Sequence, residues 1–593
     1  MCGIVGYIGN DNATEIVING LKKLEYRGYD SAGIAYFKNG DVNIIKSVGK
    51  ILNLEKKIND QKSNLVIGHT RWATHGVPNE CNSHPHHGQN KQIVLVHNGV
   101  IENYNEIKDK YLQDCKFYSQ TDTEVLSNLM EKFIESGLSM EDSLEKLIDV
   151  VDGSYALAVV NKDYDNKLYV AKNKSPILVG IGDGFNMLGS DALAMYAKTS
   201  NVLEINDKEY GVITKDDVVL YDKNGTEVKR EKFSISIDAS ESEKGIYDHY
   251  MLKEIHDQSS VIRGLIAKYL PNGKVNIDQE IIEMVKNAKA IRIIAAGTSY
   301  YSGLVNQSLL EKFIKKSVLV HIASEFTYDM PLLDKDDLCI FISQSGETAD
   351  LRAALVKVKE QGLKTVTITN VEGSTLSRET EKTLFLYAGR EIAVASTKAF
   401  IAQVTTLAIL GYSLSNREFD LYSQLSKVAS VIESVLENKE QVSQIVKKSL
   451  LTCEHCFVLG RGVDYKTSLE GALKLKEISY IHTEGMSSGE LKHGTIALIE
   501  EGTPTIFLIT QGDLALNTRS NIMEVESRGA NVITIVNGKY AKDGDDLVFP
   551  EVCDELAPLV SVVYMQLISY YTSLYLEKDI DMPRNLAKSV TVE

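Results

Sequence analysis

An internal repeat in the second half of the chain is the feature that most constrains its fold. The segment LCIFISQSGETAD corresponds to PTIFLITQGDLAL at an offset of 167 residues, which aligns Gln344 with Gln511. Each copy contains an apolar strand, a turn rich in Gly or polar residues and a helical stretch, which is the pattern of a parallel sheet covered by helices. The repeat therefore predicts two α/β domains that arose from one duplicated unit, with a ligand cleft between them.

The first part of the chain has a different pattern. Up to about residue 238 it contains many short β-type runs, such as CGIVGYIG, LVIGHTRWA and QIVLVHNGVI, with amphipathic helical stretches at 14–24 and 121–135. This predicts an α+β domain with stacked sheets. The Ser-rich, charged segment SIDASESEKG that follows is typical of a linker.

These patterns divide the chain into four parts. We predict an N-terminal domain at 1–238, a linker with the first repeat domain at 239–430, the second repeat domain at 431–583 and a tail at 584–593. A chain of 593 residues exceeds the size at which one hydrophobic core keeps growing, so several domains are expected.

Charge and cysteine content exclude several classes of function. The formal charge of −17 and the pI near 5.3 argue against nucleic acid or an anionic membrane as the main partner. Seven irregularly spaced cysteines do not form a disulfide framework, and a reducing cytoplasm is the expected compartment. Cys453 and Cys456 could be half a zinc site, but no second pair accompanies them, so no metal is predicted. The apolar runs 556–576 and 399–416 are interpreted as buried helices rather than membrane spans.

The first repeat contains a predicted phosphate site. Hydroxyl and amide side chains crowd SQSGETAD, between a buried strand and a helix, where the helix dipole and free N–H groups favour an anion. The candidate residues are Ser343, Gln344, Ser345 and Thr348, with Thr298 and Ser299 from GTSYYSG. The alternative is a capped turn without a ligand. The second repeat has TQGDLAL at this place, with an acid and fewer hydroxyls, so we expect only one copy to bind phosphate.

A charged helical face marks the second repeat. Glu470, Lys474 and Glu477 fall on one side of LEGALKLKEISYIHTEG at helical spacing, and His493 follows in a glycine-flanked loop. Taken alone, such a face is more often a solvated salt-bridge ladder. Its apolar neighbours favour half-buried charges that serve one another or a ligand.

The beginning of the chain presents a possible nucleophile. Removal of Met1 would give Cys2 a thiol and an α-amine on the same carbon, which is a nucleophile with a built-in base. In the alternative interpretation Cys2 is merely a small strand residue.

A series of motifs occurs in one order along the whole chain. They are CGIVGYIG, LEYRGYDSAG, GHTRWATHG, HNGVIENY, TDTEV, SQSGETAD, VASTKAF, LEGALKLKEISYIH, GELKHG and PRNLAKSVTVE. Together they resemble the glutamine:fructose-6-phosphate aminotransferase (isomerising) family. The resemblance implies an N-terminal nucleophile (Ntn) glutaminase domain followed by two sugar isomerase (SIS) domains with parallel sheets.

The resemblance also implies an activity. Glutamine would be hydrolysed, its ammonia would pass through an internal channel, and fructose 6-phosphate would become glucosamine 6-phosphate, the first step of hexosamine (UDP-GlcNAc) synthesis. No cofactor is implied, because the conversion of a ketone to an aminoaldose is an isomerisation. The family works as a homodimer in which the GELKHG histidine completes the partner's site.

For the glutaminase site, the resemblance assigns Cys2 as the nucleophile and its α-amine as the base. Asn98 and Gly99 would form the oxyanion hole, and Trp72 would gate the ammonia route. The residues that would bind glutamine are Arg71, Asp122, Thr74, His75 and Arg27, with Arg71 at the α-carboxylate and Asp122 at the α-ammonium.

For the isomerase site, the resemblance assigns Lys588 to a Schiff base with the open-chain sugar. Glu477 would move a proton between C1 and C2, His493 would open the ring, and Lys474 and Glu470 would support them. Val394, Ala395 and Ser396 would line the sugar, and the phosphate residues are those predicted above.

Two other functions remain open from the residues. The same domains could form a deglycase or phosphosugar isomerase, which would not need Cys2, Arg71 and Asp122. A sugar-phosphate sensor without catalysis would not need Cys2, Glu477 or Lys588.

Overall fold

The computed structural model describes residues 2–25, 28–58, 61–72, 76–234, 244–416 and 418–590. The chain divides into two compact units, of which the first comprises 1–239 with 589–593 and the second 240–588. The predicted Arg27, Thr74 and His75 lie outside the described residues.

The first unit contains two antiparallel sheets. Its strands are β1 (Gly3–Gly9), β2 (Ser31–Lys38), β3 (Asp41–Val48), β4 (Leu65–Arg71), β5 (His86–His87), β6 (Ile93–Ile101), β7 (Gly153–Asn161), β8 (Leu168–Asn173), β9 (Leu178–Ile181), β10 (Phe185–Gly189), β11 (Asn201–Glu204), β12 (Glu209–Ile213), β13 (Val218–Tyr221), β14 (Glu227–Val228) and β15 (Phe233–Ser234). Among the described strands, one sheet has the order β15-β11-β9-β10-β1-β4-β2-β3 and the other β14-β13-β12-β8-β7-β6-β5.

The two sheets stack face to face and carry helices on their outer faces. The helices are α1 (Ala13–Leu24), α2 (Ile51–Glu55), α3 (Tyr104–Tyr111), α4 (Thr123–Glu135) and α5 (Met140–Val150). The inner core joins Ile67 of β4 to Val96 of β6. One outer core packs α1 and α2 on the first sheet, and another packs α3 to α5 on the second. The predicted stacked-sheet α+β fold is confirmed.

The second unit contains two parallel sheets. Its strands are β16 (Ile291–Ala295), β17 (Val318–Ile322), β18 (Leu338–Ser343), β19 (Lys364–Thr369), β20 (Lys382–Phe385), β21 (His455–Gly460), β22 (His482–Ser487), β23 (Pro504–Ile509), β24 (Asn531–Asn537) and β25 (Leu547–Phe549). Its helices are α6 (Tyr250–Tyr269), α7 (Gln279–Asn287), α8 (Gly297–Ile314), α9 (Ala323–Tyr328), α10 (Ala349–Glu360), α11 (Thr375–Glu379), α12 (Lys398–Tyr412), α13 (Leu421–Glu437), α14 (Lys439–Ser449), α15 (Val463–Ser479), α16 (Gly512–Glu526) and α17 (Pro558–Tyr575).

The two parallel sheets have the same topology, as the repeat predicts. The orders are β17-β16-β18-β19-β20 and β22-β21-β23-β24-β25. One continuous core packs residues of both sheets against the apolar helices α12 and α17, which are buried along most of their length. None of the described helices is long and apolar enough to cross a membrane. The predicted boundary after residue 430 lies inside α13, and the finer domain division stays a prediction.

Stability of the first unit should depend on the core between its sheets. Ile67 is fully buried there, so Ile67→Ala should lower the free energy of unfolding by about 2–5 kcal/mol. Urea unfolding can be followed through Trp72, the only tryptophan in the chain. Leu52→Ala is the control, because Leu52 is 59% exposed and should change stability by no more than about 0.5 kcal/mol. Equal effects of the two substitutions would contradict the inter-sheet core.

Candidate active sites

Cys2 lies at the start of β1 with its thiol docked on the backbone that follows β4. The register pairs Gly3 with Thr70, which places Cys2 beside the end of the neighbouring strand. The Cys2 Sγ accepts a hydrogen bond from the Trp72 N–H at 3.2 Å. Burial raises the pKa of the Cys2 thiol, so the group is held as a thiol and needs a base to become a nucleophile.

Asn98 and Gly99 bring the second sheet to the same place. The Asn98 side-chain N–H donates to the Cys2 carbonyl at 3.0 Å, so this amide faces the cysteine. Gly99 has φ of 138°, and a Cβ there would lie 2.0 Å from the Ser154 carbonyl oxygen across the β6–β7 pairing. Only glycine fits this position without displacing the backbone of β7.

Arg71 lies close enough to Cys2 and to Asp122 for the charges to interact. Arg71 ends β4 and donates from its guanidinium to the Gly76 carbonyl at 3.1 Å. Asp122 lies at the start of α4 and accepts the Ile101 N–H at 2.8 Å. Burial lowers the pKa of Arg71, while the nearby Cys2 and Asp122 act to raise it. Both side chains are buried, and their opposite charges match the two charges of an amino acid.

A group of buried histidines lies next to Asn98, which His69 contacts. The ring of His69 stacks on that of His84 at 4.0 Å between centroids, and His86 packs edge-on against His84. His86 shares hydrogen bonds with Tyr118 and Thr121. Burial lowers the pKa of His69 to about 3 and lowers those of His84 and His86 well below the ordinary value. These rings are therefore neutral near pH 7.

In the second unit, the predicted phosphate residues follow adjacent strands of the first parallel sheet. Ala295 pairs with Ile342, so the turns after β16 and β18 meet at the same edge. The helices α8 and α10 both begin there, and their N-termini favour an anion. Ser343 and Thr348 share a hydrogen bond of 2.9 Å between their hydroxyls, and Ser299 accepts one from Gln403.

The turn after β18 is shaped by Gly346. Its φ is 68°, and a Cβ there would lie 2.0 Å from the Ser374 hydroxyl. The Gly346 N–H donates to the Ser343 hydroxyl at 3.0 Å, while Glu347 donates its N–H to Ser345 at 3.2 Å. The hydroxyls of the predicted site are thus already organised by the turn. The Gln344 carbonyl accepts the Asn370 N–H, which fixes the turn to the next strand.

The corresponding place in the second repeat is filled by a carboxylate of the chain itself. Asp464 aligns with Ser299, and Thr510 aligns with Ser343. The Asp464 carboxylate accepts the Thr510 N–H at 2.8 Å, and burial raises its pKa to about 7. Asp554 accepts the N–H of Gly512 at the start of α16 at 2.8 Å. Two carboxylates therefore take the donors that a phosphate would need, which supports the expectation that only one copy binds phosphate.

The charged face of α15 is buried, so the alternative of a solvated ladder is wrong. Glu470 and Lys474 are almost inaccessible to solvent. Lys474 pairs with Glu477 at 2.7 Å and donates to the Thr298 hydroxyl at 2.9 Å, which joins the two repeats. Burial opposes the charge of Lys474, but the carboxylates of Glu470 and Glu477 outweigh it and raise its pKa to about 12.

Lys588 inserts its ammonium into the second unit and pairs with Glu391. The Lys588 Nζ donates to the Glu391 carboxylate and, at 3.1 Å, to the Ser396 hydroxyl. Glu391 also accepts the N–H groups of Thr397 and Ala399 at 2.8 and 3.0 Å. Burial alone would raise the pKa of Glu391, but the Lys588 charge outweighs burial and lowers it. Both side chains are almost fully buried.

The segment that carries Val394 and Ala395 is tied to its surroundings. Glu254 of α6 accepts the Ala393 N–H at 3.2 Å. Val394 donates its N–H to the Asp581 carbonyl at 2.9 Å, so it is fixed directly to the tail that leads to Lys588. His493 stands apart, because it is exposed in a short 3-10 turn and makes no side-chain hydrogen bond within the described part of the chain.

Comparison with known proteins agrees with this architecture. The glutamine amidotransferase domain model matches residues 69–196, and the SIS domain model matches 284–411 and 449–574. Glutamine–fructose-6-phosphate aminotransferases (isomerising) of Staphylococcus aureus (strain Mu50) and Geobacillus kaustophilus are each 52% identical to this chain over all of both chains. The chain belongs to this aminotransferase family.

A solved relative covers the second unit. The C-terminal domain of glucosamine-fructose-6-phosphate aminotransferase from Francisella tularensis is 36% identical, with a TM-score of 0.55, and covers 58% of this chain and 100% of its own. As a member of the aminotransferase family, this chain therefore has two parallel-sheet SIS domains after an amidotransferase domain.

Three polar residues that hold the predicted ones were not predicted from the sequence. Glu391 contacts Lys588 and Ser396, Gln403 contacts Ser299, and His69 contacts Asn98. Both Glu391 and Gln403 flank the motif VASTKAF, and His69 lies within GHTRWATHG. For Glu391 and Gln403, the signal in the sequence is an acid or an amide close to a motif of small and hydroxyl residues.

Acid should destabilise the first unit of this aminotransferase through its buried histidines. Their folded pKa values are depressed below the ordinary value near 6.5, so below pH 6.5 the unfolded chain binds protons that the folded chain does not. The free energy of unfolding should therefore fall as the pH decreases from 6.5, by up to about 1.4 kcal/mol per pH unit for each ring.

This pH dependence can be measured by urea unfolding followed through Trp72 fluorescence at pH 7.5, 6.0 and 5.0. In His84→Gln the slope against pH should become shallower by about one proton, since the amide does not titrate. An unchanged slope would show that His84 does not couple folding to protons.

Proposed function

We propose that this chain converts glutamine and fructose 6-phosphate into glutamate and glucosamine 6-phosphate. The observation that carries the proposal is that one chain, with relatives of that name along its full length, presents a positioned Cys2 thiol in one unit and a buried Lys588 amine in the other. The first supplies nitrogen and the second activates a ketone.

In the proposed glutaminase reaction, the Cys2 sulfur attacks the carboxamide carbon of glutamine. Burial keeps the thiol protonated, so a base must remove its proton, and the α-amine exposed by loss of Met1 is suited to this. The oxyanion would be stabilised by the Asn98 side chain and the Gly99 N–H. The base then gives the thiol proton to the leaving nitrogen, ammonia departs, and water releases glutamate from the thioester. Arg71 and Asp122 would bind the ends of the amino acid.

In the proposed isomerase reaction, the phosphate binds between the N-termini of α8 and α10. Its proposed ligands are Ser343, Gln344, Ser345, Thr348, Thr298 and Ser299. Glu391 would accept a proton from the Lys588 ammonium, so that the free amine attacks the C2 ketone and loses water to give a Schiff base. Ammonia displaces the lysine, and Glu477 moves the proton from C1 to C2. Glutamine supplies the nitrogen, and no net oxidation occurs.

The remaining roles are also proposals. His493, exposed on its own chain, would open the sugar ring in the site of a second copy, so a homodimer is the expected state. Trp72 would gate the passage of ammonia. Lys474 and Glu470 would hold Thr298 and Glu477, and Val394, Ala395 and Ser396 would line the sugar. The expected compartment is the cytoplasm.

A related phosphosugar isomerase or a non-catalytic sensor would share the second unit. Neither would explain the docked thiol of Cys2 or the buried, opposite charges of Arg71 and Asp122 in the first unit. The aminotransferase reaction accounts for both units.

Replacement of Cys2 should stop the supply of nitrogen from glutamine and therefore the formation of amino sugar. The chain should produce glucosamine 6-phosphate and glutamate from glutamine and fructose 6-phosphate in equal amounts. In Cys2→Ala both products should fall by at least ~10³-fold, since the attacking sulfur is gone. The products can be measured by mass spectrometry, with an intact-mass measurement of Met1 removal. Glutamate without amino sugar in the unsubstituted chain would contradict the proposed reaction.

Borohydride trapping should identify the Schiff-base lysine. Reduction in the presence of fructose 6-phosphate should add one reduced hexose phosphate to the peptide that contains Lys588, because borohydride converts the imine to a stable amine. Lys588→Arg should remove the adduct, whereas Lys578→Arg, at an exposed lysine of the same segment, should retain it. Cys2→Ala should also retain it. An adduct that survives Lys588→Arg would place the Schiff base elsewhere.

A further inference from the structure

A buried histidine in the first unit contacts the proposed oxyanion residue from behind. His69 lies on β4, two residues before Arg71, and is inaccessible to solvent. Its Nε2 lies 3.1 Å from the Asn98 Oδ1 and 3.0 Å from the His97 carbonyl oxygen. His69 therefore touches Asn98 on the side of the amide opposite to Cys2.

The contacts fix the tautomer of His69. A carbonyl oxygen and an amide oxygen can only accept hydrogen bonds, so the Nε2 that faces both of them must carry the proton. Its Nδ1 is buried and has no hydrogen-bond partner within the described residues. Burial lowers the pKa of His69 to about 3, which keeps the ring neutral and in this single tautomer near pH 7.

This tautomer also fixes the amide of Asn98. Because His69 donates to the Oδ1, the amide N–H groups must point the other way, where one donates to the Cys2 carbonyl at 3.0 Å. A rotated amide would place its N–H against the Nε2–H of His69, which the His97 carbonyl already accepts, and would turn its oxygen toward the Cys2 carbonyl, so that the Asn98 N–H loses its acceptor and the Cys2 carbonyl loses its donor. Leaving such buried groups unsatisfied costs about 1–3 kcal/mol each.

The position of the His69 ring is itself fixed. It stacks on His84 at 4.0 Å between centroids with an angle of 9° between the planes. His84 in turn accepts the His97 N–H at its Nδ1, at 3.2 Å. The ring is thus held between the backbone next to Asn98 and a second neutral histidine.

We propose that His69 is a positioning residue for glutamine hydrolysis, which donates from Nε2 to hold the Asn98 amide with its N–H toward the oxyanion. The proposal rests on the proposed role of Asn98 as an oxyanion donor. His69 does not touch the substrate and transfers no proton, because its protonated nitrogen faces two acceptors and its other nitrogen is enclosed.

The test compares three substitutions of His69 in the full chain. His69→Phe keeps a ring but removes the donor, so the Asn98 amide can rotate. The kcat for glutamate formation should fall about 10- to 100-fold, which is a smaller loss than that expected when an oxyanion donor is removed altogether. The KM for glutamine should change less than about 3-fold, because the Asn98 amide acts on the transition state. His69→Gln supplies an amide N–H at a similar distance and should restore kcat to within about 5-fold of the original.

The third substitution inverts the hydrogen bond. His69→Glu offers only acceptors when ionised, so at a pH above the pKa of the introduced carboxyl it favours the rotated amide and should lower kcat at least as much as His69→Phe. His86→Gln is the matched control, because His86 is equally buried in the same group but bonds to Thr121 and Tyr118. It should keep kcat within about 3-fold. A loss in His86→Gln equal to that in His69→Phe, or no rescue by His69→Gln, would overturn the proposal.

A double-substitution cycle separates this inference from the proposed function. If His69 acts through Asn98, then His69→Phe combined with Asn98→Ala should be no slower than Asn98→Ala alone. A full kcat in Asn98→Ala would overturn the oxyanion role of Asn98. A loss in Asn98→Ala with an unchanged His69→Phe, or additive losses, would overturn only the positioning role of His69.

A measurement on the unsubstituted chain keeps the test valid if His69→Phe does not fold. The ¹⁵N shifts of labelled histidine should show one ring that stays in the neutral Nε2–H form between pH 6 and 8. The signal of this ring is assigned to His69 because it is absent in His69→Gln. An Nδ1–H tautomer or a charged ring at this position would overturn the proposal.

Discussion

An ion pair out of contact with water is stable only if each polar atom finds a partner, and the Lys588–Glu391 pair shows how this chain meets that condition. Glu391 receives the ammonium, the Ser396 hydroxyl and two backbone N–H groups. Removing one partner from a buried pair typically costs about 3–5 kcal/mol, because the other charge is left uncompensated. The same pairing holds the amine beside an acceptor for its proton, which a nucleophilic amine requires.

The duplicated unit shows how one residue can change the chemistry of a turn while the fold stays the same. In the first repeat Ser299 is neutral and small, and two helices begin at the same edge of the sheet. In the second repeat Asp464 occupies the corresponding position and takes the Thr510 donors itself. The fold of both sheets is the same, because the apolar strands decide it, while the turn after each strand decides which polar groups meet at the edge of the sheet.

The short β-type runs predicted the stacked sheets of the first unit, and the repeat predicted the parallel sheets of the second. The polar turns after the strands of the repeat predicted where polar side chains meet. Helix starts at α1 and α4 lie within two residues of the predicted 14–24 and 121–135. The apolar neighbours of Glu470 and Lys474 predicted half-buried charges, but the nearly complete burial of both side chains could not be predicted, since spacing along a helix is the same on an exposed or a buried face. Glu391 and Lys588 lie 197 positions apart, and a pairing over such a distance is decided by packing rather than by local pattern.

Both proposed reactive residues lie near chain termini, where backbone order is usually weakest. Cys2 is ordered because β1 lies inside a sheet, between β10 and β4, so the strand that follows it is paired on both sides. The tail reaches Lys588 through separate attachments. Asp581 caps the start of α6 and accepts from Val394, and the Arg584 N–H donates to the Tyr480 hydroxyl at the end of α15. The backbone next to each reactive side chain is thus held by hydrogen bonds of its own. The positions of the reacting atoms therefore depend on bonds in which those atoms take no part.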